Sequence, residues 1–194
     1  MVVDWTGYTL YPVLIPKLTS ELERADARTE FKHAMTIKEE RKSELANLTS
    51  QNGIELEHSY NCILDLNAWF RENISTEPGH DGHLLAEWYS FCKDLNLYLG
   101  DWLIEKYPWL RWALYTTSKK SLDYQSPAII GYKEKSPNHV NFDISFAGWG
   151  IAYVEDSHPS KTAFLRQFIH NEDIPQEQCK NILIDVLGPN SKWI

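Results

Sequence analysis

The chain is poor in cysteine, in basic charge and in the short motifs that mark enzymes. It has 3 cysteines in 194 residues, Cys62, Cys92 and Cys179. They are far apart, form no CxxC pair, and each falls in a helical pattern. A disulfide framework and a cysteine-rich zinc site are therefore not expected. Reduced, buried thiols in a cytoplasmic protein are. No apolar run approaches the roughly 20 residues that span a bilayer, so no membrane association is expected. The opening run, Met1 to Lys17, lacks a basic segment followed by an apolar block, which argues against an export signal. The sequences GxGxxG, GxxxxGK[ST] and GxSxG do not occur, so no nucleotide, phosphate or acyl-enzyme chemistry is indicated, and no cofactor.

Lysine and arginine number 19 against 27 aspartates and glutamates, a net charge of −8. Residues 54–105 hold ten acids and two bases, Arg71 and Lys93, so this one segment carries the whole imbalance. A field of that sign repels nucleic acid and anionic membranes. It suits a basic protein partner, or no charged partner.

What the chain does have is aromatic and aliphatic bulk: 8 Trp, 10 Tyr and 43% hydrophobic residues. That is ample for a core in one domain spanning 1–194. The run from His83 to Tyr107 places Leu84, Phe91 and Tyr98 on one helical line and Trp88, Leu95 and Trp102 on the next. An apolar arc this wide marks a helix packed on more than one side, the centre of the core. Gly100 is unfavourable there by about 1 kcal/mol relative to alanine, which points to close approach by another element. Pro108 ends the helix.

Before this helix, residues 54–74 form a second apolar-faced helix. Ser20 with Glu23 gives a capping pattern for a helix reaching Leu48, with a possible break near Thr29. That segment mixes seven acids and six bases between Glu21 and Glu44 around a thin apolar stripe, so residues 1–50 are expected to hold a mostly exposed helix that either projects as an arm or packs on one side only, beside a 54–188 core. After the central helix, strands are expected at Leu110–Leu114, at Pro127–Tyr132, and over Val140, Phe142, Ile144 and Phe146, which alternate with polar or small residues. Ile151–Val154 continues or closes the sheet. Helices follow from Ser160 to Ile169 and, opened by an Asp173–Gln176 capping pattern, up to Gly188. Consecutive strands with short polar links favour an antiparallel sheet of three to four strands with helices on one side, an α+β fold.

Candidate chemistry is sparse. His80, Asp81 and His83 cluster in a loop, but their spacing matches no established ligand frame, and capping of the central helix accounts for Asp81. The cysteines sit among apolar neighbours, which favours packing over nucleophilic attack. Glu87, Asp94 and Asp101 recur every seven residues, about 10.5 Å apart along a helix, too far for a glycosidase pair. They read as a solvated or partner-facing acidic stripe. Trp109 and Trp112, with His80, Asp81 and His83, are the candidates for a ligand pocket beside the central helix.

The run Leu97-Tyr-Leu-Gly100-Asp-Trp-Leu103, then Tyr107-Pro-Trp-Leu-Arg-Trp112, then Pro127-Ala-Ile-Ile-Gly131, resembles uncharacterised small acidic bacterial proteins. Some of these are similar to the immunity proteins of polymorphic or contact-dependent toxins. The resemblance covers roughly residues 84–132 and transfers no residue role. Together these features lead to the expectation of a non-enzymatic protein-binding module that uses its acidic surface on a basic partner. A pocket-bearing ligand domain or enzyme, and a scaffold subunit that self-associates through residues 20–48, are the alternatives.

Overall fold

A computed structural model of the protein describes residues 2–80, 82–134, 139–157 and 160–189. Helix α3, Ala86–Lys106, runs through the middle, and its Trp88, Phe91, Leu95, Leu99 and Leu103 are all essentially inaccessible. Helix α1, Arg24–Gln51, lies along one side of α3, and α2, Tyr60–Asn73, packs into the same core. Three short strands form an antiparallel sheet in the order β1-β2-β3: Arg111–Leu114, Pro127–Ile130 and His139–Val140. Helices α4, Asp143–Val154, α5, Ala163–His170, and α6, Gln176–Leu187, complete an α+β architecture. No helix among the described residues is long and apolar enough to cross a membrane.

Gly100 is where the sheet meets the central helix. A methyl group there would fall inside the Trp112 ring and 2.9 Å from Ile129 Cδ1. The close approach expected from the sequence is therefore made by β1 and β2.

Two expected features differ. Residues 140–146 do not form a strand: β3 stops at Val140 and the chain turns into α4. Phe142, Phe146, Trp149 and Tyr153 follow a 4-3-4 spacing as well as the shorter alternation, and the helical reading puts all four against the core. Gly150 is a position of α4 where a methyl group would lie 2.9 Å from Leu84 Cδ1 and 3.0 Å from Phe70 Cζ. Ile151–Val154 is the last turn of α4, not sheet.

The second difference is α1. It runs unbroken past Thr29 and is docked rather than projecting, with Ala27, Ala34, Arg41, Leu45 and Leu48 buried. The Ser20–Glu23 capping box is not made. Residues 19–21 form a 3-10 turn, and α1 begins after Glu23 with no side-chain cap. Asp173 does not cap α6 either; Pro175 occupies that position.

Substituting Gly100→Ala should lower the free energy of unfolding by about 1–3 kcal/mol through overpacking against Trp112, although alanine is the better helix former. Denaturant unfolding measures this. Equal or greater stability would show that Trp112 does not hold that position.

Candidate partner-binding face

The acidic stripe expected on α3 is not a surface stripe. Asp94 is 0% exposed and Arg41 is 2% exposed, and they form a two-pronged pair. Arg41 Nε donates to Asp94 Oδ1 at 2.8 Å and Nη2 donates to Oδ2 at 2.6 Å. The Tyr8 hydroxyl donates to the same carboxylate. Arg41 spends its other donors on Glu44 at 3.0 Å and on the Thr9 carbonyl at 3.0 Å. Burial raises the Asp94 carboxyl above its usual value, against the pull of Arg41 and Tyr8.

Asp101 is half-buried and committed as well. Lys38 reaches Oδ1 at 2.7 Å, Lys42 reaches Oδ2 at 2.6 Å, and the Trp112 indole donates to Oδ1 at 2.8 Å. Burial would raise this carboxyl, but those three donors outweigh it and hold it below the usual carboxylate range. Glu87 is partly exposed. The three acids thus do not present one face: two of them fasten α1 to α3.

The pocket candidates are also separated. His80 and His83 lie in the 75–85 loop, closed by a Thr76–Leu84 bridge before α3, with their rings 6.5 Å apart. Asp81 lies outside the described residues. Trp109 and Trp112 follow the far end of α3, whose 21 residues span about 31 Å. Trp109 is 41% exposed, donates to Asp173 Oδ2 at 2.6 Å, and carries Lys133 Nζ 3.9 Å from its ring centroid. Trp112 fills the space over Gly100. These side chains do not converge. The three cysteines are buried, and burial pushes the Cys62 and Cys92 thiols up, away from the reactive thiolate. Among the described residues no group of three or more His, Cys, Asp or Glu side chains is arranged to hold a metal ion.

The exposed acids lie elsewhere. The core-facing residues of α2 are Cys62, Ile63, Leu66, Asn67 and Phe70, which leaves Asp65 and Glu72, seven residues apart, on the outer side. The segment leading into α2 adds Glu55 and Glu57, and the last turn of α3 adds Glu105. Glu57 and Asp65 act electrostatically on the Cys62 side chain, and Glu57 and Glu105 on Tyr98, so Glu57 links the two sets. Of the ion pairs among the described residues, only His58–Glu105, at 2.9 Å, involves any of these five acids. The nearby Lys106 is not available to neutralise them. It pairs with the buried Glu172, beneath the rings of Tyr60, Trp102 and Tyr107. The acidic segment expected from the sequence therefore divides: Asp94 and Asp101 of α3 are engaged internally, and its exposed acids include those on and around α2. The apolar face of α2, which leaves Asp65 and Glu72 behind, was the signal available.

Removing one partner of the buried pair, as in Asp94→Asn, should lower the unfolding free energy by about 3–5 kcal/mol. The apolar double variant R41M/D94L should recover part of that loss, and a D94N protein of full stability would contradict the assignment. Because the Asp101 carboxyl is depressed in the folded state, the stability it contributes is present above about pH 4 and is lost as pH falls through its lowered pKa. The stability of D101N, followed by denaturant unfolding from about pH 2 to about pH 5, which brackets the ordinary carboxylate value, should fall less steeply than that of the native chain. No protein-family model, no curated protein and no solved structure matches this chain.

Proposed function

We propose that the protein is a non-enzymatic binding module that presents the outer side of α2 to a basic protein partner, in the manner of an immunity protein neutralising a toxin. The carrying observation is the contrast between the two sets of acids. Asp94, Asp101 and Glu172 are consumed internally, whereas Glu55, Glu57, Asp65, Glu72 and Glu105 are exposed without a lysine or arginine partner among the described residues. An acidic face of this kind raises the rate of encounter with a basic protein and suppresses acidic competitors. The resemblance of residues 84–132 to small acidic bacterial proteins supports the same reading.

The scattered placement of His80, His83, Trp109 and Trp112 removes the support for a pocket beside α3. An open depression of about 250 Å³ lies between the N-terminal segment and the end of α1, lined by Thr6, Gly7, Tyr8, Glu44 and Asn47 among others. Self-association through residues 20–48 has less support, because Leu45 and Leu48 of α1 join its own core and Ala27 and Ala34 are buried.

The test is capture of a basic partner at low salt by the native chain and by the charge-reversed variant E57K/D65K/E72K/E105K. The variant should keep the native unfolding temperature and bind at least about tenfold more weakly, and the native affinity should fall steeply with salt. Unchanged affinity in the folded variant would remove the α2 face from the interface. Binding that ignores salt would remove the electrostatic mechanism.

A further inference from the structure

The β1–β2 connection, residues 115–126, is tied at both ends of its path to parts of the chain remote in sequence. On one side, His139 Nε2, at the start of β3, lies 3.0 Å from Asp123 Oδ2, and the imidazole stacks on Tyr115 with centroids 3.7 Å apart and planes 12° from parallel. The His139 side chain is 9% exposed and that of Asp123 23%. On the other side, Gln125 Nε2 donates to the carbonyls of Thr19 at 3.1 Å and Leu22 at 2.7 Å, and the Ser126 and Thr19 hydroxyls are 2.7 Å apart. Gln125 holds a φ of 63°, an uncommon conformation for a residue with a side chain, which its own two bonds and those of its neighbours maintain. The connection therefore bridges β3 to the N-terminal segment that leads into α1.

We propose that Asp123 and His139 form a pH-sensitive clasp that fixes the β1–β2 connection and, through Gln125 and Ser126, the chain at Thr19–Leu22. Imidazole is the side chain that changes charge between about pH 5 and 8. When His139 is protonated the bond to Asp123 is charge-assisted, and such bonds are roughly twice as strong as neutral ones. Among the described residues, these groups face the pair. Tyr115 supplies a ring face from the end of β1. Asp143, at the start of α4, adds a second carboxylate, itself held by Lys93 of α3 at 3.4 Å and close enough to act on both Asp123 and Tyr11. Two carboxylates stand against one lysine there. Burial raises the Asp123 carboxyl, with His139 opposing that rise and Asp143 adding to it. The carboxylate is thus lost above the usual range as the solution becomes acidic.

Amide hydrogen exchange on the full chain at pH 5.5 and pH 8, corrected for intrinsic rates, tests this. Protection at Tyr124, Gln125, Ser126 and Leu22 should be about fivefold higher at pH 5.5, with α3 amides unchanged. His139→Gln, which keeps a hydrogen bond to Asp123 but no charge, should make the ratio close to one. Equal protection at both pH values in the native chain overturns the clasp, as does an H139Q variant that keeps the full pH dependence. A change confined to residues 124–126, with Leu22 unaffected, overturns the coupling to the N-terminal segment.

Discussion

The Arg41–Asp94 pair is the constraint on which the rest of the packing depends. Two charges removed from water are a liability unless every remaining donor and acceptor is used. Here they are used. The guanidinium serves Asp94, Glu44 and the Thr9 carbonyl, and the carboxylate also takes the Tyr8 hydroxyl. The consequence is that three separate pieces of chain, the N-terminal segment, α1 and α3, have one permitted relative position. Ser90, one turn before Asp94, adds to the same junction by accepting the Tyr11 amide at 2.5 Å.

The same device recurs along the molecule. Asp101 gathers Lys38 and Lys42 of α1 with Trp112 of β1. Glu172, between α5 and α6, gathers Tyr60 of α2 with Lys106 and Tyr107 at the end of α3. Asp173 takes the amides of Lys133 and Glu134 and the Trp109 indole, and those donors hold its carboxyl low despite burial. Each carboxylate joins elements that no apolar seam alone would register. Part of the acidity of this protein is accordingly internal, and the formal charge of a segment is a poor guide to its surface field.

Much of this architecture was legible. The wide apolar arc on α3, the need for close approach at Gly100 and the strand pairing of 111–114 with 127–130 all follow from local periodicity and turn chemistry. The misreadings have specific physical causes. Phe142 and Phe146 fit both a two-residue and a four-residue repeat, and only Trp149 and Tyr153 further on decide for the helix. Asp94 and Asp101 look like a solvated row because isolated carboxylates usually are. Their internal role becomes visible only when Lys38, Arg41 and Lys42 on α1 are set antiparallel to them, and that alignment is a tertiary fact. Asp65 and Glu72 carry no local signal beyond lying opposite the apolar face of α2. The Asp123–His139 pair joins two loops and carries no spacing signal at all.

The N-terminal segment has a bearing on the order of assembly. Tyr8 and Tyr11 find their partners on Ser90 and Asp94, 79 to 86 residues away. Loops that long are closed late, because their entropy is recovered only after the distant partners are already fixed. Helices α1 and α3 can therefore meet first, with Arg41 and Asp94 finding each other while still wet. Water leaves the pair only when Tyr8 and Thr9 settle over it. The N-terminal segment thus covers two charges that already neutralise one another.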